Sequence, residues 1–256
     1  MSVLAALASL FQAERIKWRR SWTFVVAVLV PLFQVFFLFM IFWFSEILVD
    51  RMGAGFPAWY KINYAAWNII FMPVTATLVA VLSWDQEEEA GAWKHLFLQP
   101  VPRATHYLAK LLSHISLLFI SQVLFASLLW IGGLILRKNL HYLEMGPALP
   151  GMLLRFALAS LLASLPLIGL HTWMSTRMRG VGIGLGIALA GSWLSVQWAE
   201  KFLLVGLMPW GVSSQVVKAV QKGFGASWRL YLGGLVCALI LMAVGTLDFS
   251  RREEQR

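Results

Sequence analysis

Histidine, cysteine, lysine and serine are the side chains from which this chain could build catalysis, and their spacing builds none of the familiar sites. His95, His106, His114, His141 and His171 form no His-Glu-x-x-His pair, no second cysteine joins Cys237, and no Gly-x-Ser-x-Gly elbow presents a nucleophile. None of the eight lysines is followed by Ser or Thr, so the glycine-rich loop that cradles nucleotide phosphates cannot be present. Catalytic, metal and cofactor-binding residues are therefore expected to be absent, and each histidine reads as a polar residue of a loop or helix end. The residues with most chemical promise lie together between 84 and 110. Asp85, Glu87, Glu88 and Glu89 crowd one stretch, with Ala90, Trp93, Leu96 and Phe97 following at helical spacing and Pro100-Val101-Pro102 closing it before Arg103. Ser83 with Gln86 reads as a capping box and the acids suit the positive end of a helix dipole, so this spacing predicts a short helix with an acidic N-terminus. Its apolar face would dock in a groove of a soluble partner.

The elements that must position this segment are set by charge. Six long stretches lack any Asp, Glu, Lys or Arg: Ser21–Ser45, Ile62–Trp84, Leu111–Leu136, Phe156–Thr176, Gly180–Ala199 and Leu230–Leu247. A helix needs about 20 residues to cross a hydrocarbon core of about 30 Å, and a charge at its centre costs roughly 2.5–3.5 kcal/mol on insertion scales. These runs predict an all-α integral membrane protein forming a single transmembrane domain over residues 1–256, with spans near 22–44, 62–83, 111–136, 153–174, 181–198 and 230–249. Apolar residues make up 59% and charged residues 13%, which leaves the short connections no room for a soluble domain.

The net charge of +9 does not point to nucleic acid, because the basic residues gather at span ends. Arg15, Lys17, Arg19 and Arg20 precede the first span, Arg177 and Arg179 separate the fourth and fifth, and Arg251, Arg252 and Arg256 close the chain. With Lys94, Arg103 and Lys110 they put 12 of the 21 Lys and Arg on one side, which predicts cytoplasmic N- and C-termini. Trp18, Trp22, Trp43, Trp59 with Tyr60, Trp84, Trp130, Trp173, and Trp228 with Tyr231 fall near span ends, as interfacial rings do. The apolar run at the start precedes the basic cluster instead of following it, so it is not expected to be a signal peptide. Val3, Leu4, Leu7, Leu10, Phe11 and Trp18 share a helical stripe, which suits an elbow helix lying in the interface; a frayed tail is the alternative.

Between the fifth and sixth spans, Phe202–Val217 is uncharged but interrupted by Pro209-Trp210-Gly211. It is too short to cross comfortably and too apolar for a free loop, so a re-entrant external hairpin bent at Pro209 and Gly211 is expected; a full crossing is the other possibility. In the fifth span Gly180, Gly182, Gly184 and Gly186 form two small strips four residues apart, a pattern that permits close helix approach within the subunit or across a dimer. No carboxylate or basic residue is expected deep in a span, which removes the usual ion-binding group of a coupled carrier. The energy source must then lie in a partner.

The order Glu87-x-Glu89-x-Gly91, an apolar and basic stretch to Pro100, Arg103, and Lys110 seven residues later resembles the signature of type 2 ABC exporter permeases, between the second and third of six spans. Trp93, Ala109-Lys110 and the small size resemble most the branch of lantibiotic-immunity and bacitracin-resistance permeases. The resemblance implies that Glu87, Glu89, Gly91, Trp93, Phe97, Pro100, Arg103 and Lys110 belong to a coupling helix seated in a separately encoded cytoplasmic ABC ATPase, which would bind the ATP and Mg. It also implies a dimer of such ATPases, a second permease copy or a paralogous permease, and a bacterial cytoplasmic membrane. Export of a membrane-active peptide antibiotic or another amphipathic or lipid-linked cargo is the expected activity. An ATP-independent channel or scaffold, which should show a polar pore stripe, and a secondary carrier are the alternatives.

Overall fold

The computed structural model describes residues 2–45, 55–91, 101–139, 149–178, 180–198, 201, 208–221 and 228–251. Among them the chain is helical throughout: α1 (Val3–Trp18), α2 (Trp22–Phe44), α3 (Gly55–Glu89), α4 (Arg103–Asn139), α5 (Pro150–Ser175), α6 (Val181–Trp198), α7 (Pro209–Gln221) and α8 (Trp228–Arg251). Six of these helices, α2 to α6 and α8 over Tyr231–Arg251, are long and apolar enough to cross a membrane. Their outer faces expose Phe33, Phe36, Phe37, Trp193, Leu194, Leu239 and Ile240, more apolar surface than a chain in water would leave bare. α1 and α7, at 16 and 13 residues, are too short to cross.

Capping explains several of the boundaries. Ser2 Oγ accepts from the Ala5 N–H to open α1, Ser21 Oγ accepts from the Thr23 N–H to open α2, and Pro150 opens α5. α3 runs through a π-helical turn at Trp67–Phe71, closed by a bond from the Met72 N–H to the Trp67 carbonyl. Pro73 follows at once, and a proline has no N–H to continue the ordinary ladder. At its far end α3 stops because Gly91 takes φ +60° and gives its N–H to the Glu88 carbonyl, a left-handed cap that favours glycine.

That end differs from expectation. Ser83 to Glu89 form the last turns of α3, so they do not cap or begin a separate helix, and Arg103 to Lys110 form the first turns of α4. The acids therefore sit at the unfavourable end of a helix dipole, and compensation must come from elsewhere in the fold.

The core joins α2, α3, α4 and α5 through aromatic rings. Trp67 stacks on Phe125 with centroids 4.7 Å apart, Tyr64 packs edge-on to Phe125 and Phe156, and Phe42 packs edge-on to Trp59. Trp59 and Tyr60 are fully buried and Trp84 nearly so, and the Trp59 indole donates to the Leu129 carbonyl at 2.9 Å. These three residues are interior packing and not interface markers. Side-chain amides and hydroxyls bind one another across the helices: Gln122 accepts from the Trp67 indole and from Ser160, and Ser160 lies 2.9 Å from Asn68 Oδ1.

The glycine strips resolve into one close contact. A Cβ at Gly184 would come within 2.7 Å of Thr77 Cγ2 and 3.2 Å of Val81 Cγ2 on α3. Gly182 and Gly186 face open space, and Gly180, at φ +96°, precedes the helix. Within the subunit the close approach expected of the strips is made at Gly184, whose buried line continues through Ala188, Ser192 and Ser195. Gly191 makes room for the Trp210 ring, which a Cβ would approach to 2.5 Å. Pro209 and Gly211 were expected to bend a hairpin; instead Pro209 begins α7 and Gly211 lies in its first turn. α7 packs on α5 and α6 with Val212, Ser213, Ser214, Val216 and Val217 buried, while residues 202–207 lie outside the described residues.

Candidate functional site: a buried ionic cluster at the ends of α1, α3 and α4

Lys110 is the lone Asp, Glu, Lys or Arg between Arg103 and Arg137, so no charge further along its own helix can pair with it. The fold brings it partners. Its Nζ lies 3.0 Å from Glu87 Oε1 and 3.7 Å from Glu14 Oε2, donates to Ser83 Oγ at 2.9 Å and to the Ser83 carbonyl at 3.1 Å, and stands 5.1 Å from the centre of the Trp84 ring. Lys17 completes the group, with Nζ 2.5 Å from both Glu14 Oε1 and Glu87 Oε1. Two carboxylates and two ammonium groups from three helices thus make a neutral cluster. Glu87 and Lys110 are almost wholly enclosed, with side chains 5% and 3% exposed, whereas Lys17 keeps 38%.

Electrostatics explains why these charges can sit there. An isolated buried charge is costly, but mutual pairing with added hydrogen bonds offsets much of the desolvation. Burial alone would lower the Lys17 pKa; the adjacent Glu14 and Glu87 outweigh it and hold the ammonium above its ordinary 10.5. Lys17 and Lys110 also supply the positive charge that the C-terminus of α3 lacks on its own sequence. Among the described residues no hydrogen-bond donor reaches Glu87 Oε2. A cavity of about 220 Å3 adjoins the cluster, walled by Glu14, Lys17, Trp18, Ser83 and Glu87. A second tie lies at the ends of α5 and α8, where Asp248 accepts from the Trp173 indole and from both Nε and a terminal nitrogen of Arg177.

Of the residues singled out in the sequence, Glu87 and Lys110 meet in this cluster. Glu89 is exposed in the last turn of α3, Gly91 forms its left-handed cap, and Arg103 begins α4 half-buried. Trp93, Phe97 and Pro100 lie outside the described residues. Glu14 and Lys17 were not foreseen as site residues, although one signal was there: Glu14 is the single acidic residue in the first 45, on a helix otherwise apolar and basic. Among the described residues no group of three or more His, Cys, Asp or Glu side chains could hold a metal ion.

The arrangement is built of ion pairs and hydrogen bonds. It fastens α1 to the facing ends of α3 and α4, the two helices joined by residues 90–102. The family described as ABC-2 family transporter protein matches residues 10–191, well over half of the chain and all four charges of the cluster. The chain belongs to the ABC-2 transporter family. No curated protein matches it in sequence. Family membership makes this ABC-2 chain a multi-pass membrane subunit of an ABC transporter, a transport component and not itself the catalyst, and implies an ABC ATPase as its partner in general terms.

Proposed function

We propose that this ABC-2 chain is the permease of an ATP-driven exporter and that energy enters through residues 84–110 from a separately encoded ATPase. The observation that carries the reading is the Glu14–Lys17–Glu87–Lys110 cluster. A load applied to the connection between α3 and α4 would reach both spans and α1 together, because broken pairing would leave charges buried. Nucleotide-driven closure of an ATPase dimer could then move these helices as a rigid body. ATP and Mg would bind the partner alone.

Trp93 and Phe97 would be the apolar anchors in the ATPase groove, and Glu89, exposed in the last turn of α3, would add charge to the docking surface. Two permeases, identical or paralogous, would pair with two ATPases in a bacterial cytoplasmic membrane, both termini inside and α7 dipping into the outer leaflet. The cargo we favour is a membrane-active peptide antibiotic of lantibiotic or bacitracin type, or another amphipathic or lipid-linked molecule. It is supported by the resemblance of the 87–110 motif and by spans rich in Leu, Phe, Trp and Val.

Co-purification tests the coupling. An ABC ATPase co-expressed as the candidate partner should be retained by the wild type and lost from Trp93→Ala/Phe97→Ala, since truncating a large interface aromatic commonly costs about 2 kcal/mol or more. Equal retention by both proteins would place the docking surface elsewhere.

A further inference from the structure

The outer face of the α1–α2 corner carries a groove unrelated to the ionic cluster. It has a volume of about 550 Å3 and is lined by Gln12, Arg15, Ile16, Trp18, Arg19 and Phe24. Arg15 on α1 and Arg19, the αR residue that caps it, stand one helical turn apart, which puts both on one side of the helix end. Both are exposed, and among the described residues neither meets a carboxylate, in contrast to Lys17 between them, which Glu14 and Glu87 engage. The apolar lining is equally open, with Ile16 72% and Phe24 37% exposed. Trp18 is a fixed wall, because its indole N–H donates to Ser113 Oγ on α4 at 2.8 Å. The corner is itself held, as the Arg20 and Ser21 N–H groups bond the Lys17 and Trp18 carbonyls.

A groove lined both by two arginines and by Ile16, Trp18 and Phe24, the last in the first turn of a membrane span, matches one kind of molecule in its polar and apolar parts. We propose that it binds the headgroup of an anionic phospholipid, Arg15 and Arg19 holding the phosphate and Ile16, Trp18 and Phe24 receiving the start of the acyl chains. Planar guanidinium groups recognise phosphate by paired N–H donors, and basic pockets beside membrane helices take anionic headgroups for this reason. The net charge of the lipid matters as well as its phosphate: a zwitterionic headgroup brings its own cation to two arginines that pair with no carboxylate among the described residues, Glu14 being engaged by Lys17. Lipid on this face would steady α1, whose opposite face supplies Glu14 and Lys17 to the cluster. The binding claim itself does not depend on the exporter reading.

The test is native mass spectrometry of the purified protein in neutral detergent, titrated with phosphatidylglycerol, with phosphatidylcholine of the same chains, and with phosphatidylglycerol against equimolar inorganic phosphate. Phosphatidylglycerol should occupy one site preferentially, phosphatidylcholine should be retained poorly, and inorganic phosphate should not displace the lipid. Each guanidinium lost should weaken binding roughly fivefold, and Arg15→Gln/Arg19→Gln on the order of 25-fold. Arg137→Gln, which removes an exposed charge at the far end of α4, should bind as wild type does. Equal retention of the two lipids, displacement by inorganic phosphate, wild-type binding by the double variant, or an equal loss in Arg137→Gln would each overturn the proposal. The first two of these outcomes are read on the wild-type protein and need no variant to fold.

Discussion

Replacing Lys110 with Met removes the most enclosed cation of the cluster while keeping its length and apolar stem. The Nζ forfeits Glu87 Oε1 at 3.0 Å and both oxygens of Ser83. At an effective dielectric near 20, a pair 3.0 Å apart attracts with about 5 kcal/mol before desolvation is subtracted. Breaking one side of a buried pair costs about 3–5 kcal/mol because the other charge stays behind. Lys17 remains 2.5 Å from Glu87, so the low end applies: about 3 kcal/mol, or on the order of 100-fold in the unfolding equilibrium. Glu87→Gln should cost a similar amount, leaving two lysines against Glu14. The double variant Glu87→Gln/Lys110→Met retains the Glu14–Lys17 pair and strands no buried charge, so it should lie within about 1 kcal/mol of wild type. Unfolding in mixed micelles of increasing SDS content, followed by tryptophan fluorescence, measures all four proteins. An unchanged midpoint for Lys110→Met, or a double variant that loses the sum of the singles, would refute the account of the cluster.

Three further outcomes are expected, two from the packing and the ion pairs and one from the placement of charge along the chain. Gly184→Leu should destabilise by about 1–3 kcal/mol, since its side chain meets Thr77 and Val81, whereas Gly182→Leu should be nearly neutral; thermal melts in detergent that rank them equally would remove α6 from its contact with α3. With Cys237 replaced by Ser, single cysteines at Ser2, Ala54, Gln99, Ala148 and Lys222 should react with an external membrane-impermeant thiol reagent only at 54, 148 and 222, and labelling at 99 would invert the topology. The Lys17 pKa is raised on folding, so its contribution is complete below about 10.5 and fades as pH rises through the raised value; Lys17→Met should therefore lose less stability than wild type across that alkaline range, as pH-dependent melts would show.

The six spans were legible because a long gap in charge is a local property that needs no knowledge of the fold. Helix ends were less so. The charge gap put the start of the second span at residue 62, yet α3 begins at Gly55, with Lys61 half-buried inside it. The same shift takes Trp59 and Tyr60 out of the interface and into the core. Glu87 and its acidic neighbours read as a helix N-terminus by the dipole rule, which holds when nothing else neutralises them. Here Lys17, 70 positions earlier, and Lys110 on another helix do so. The four glycines looked alike in sequence; the rotation of α6 about its axis separates them. That rotation was half-written in the run Gly184, Ala188, Ser192, Ser195, small residues spaced by one turn.

ATP-dependent export is the central claim, and reconstitution tests it most directly. Permease and its partner ATPase, sealed together in vesicles with a labelled lantibiotic-type peptide on the ATPase side, should move the peptide across the bilayer only with ATP and Mg present. Permease without the ATPase should move none, and Trp93→Ala/Phe97→Ala should reduce transport at least tenfold while inserting normally. Transport by the permease alone, at the same rate with or without ATP, would contradict the account and make the chain a channel or a carrier.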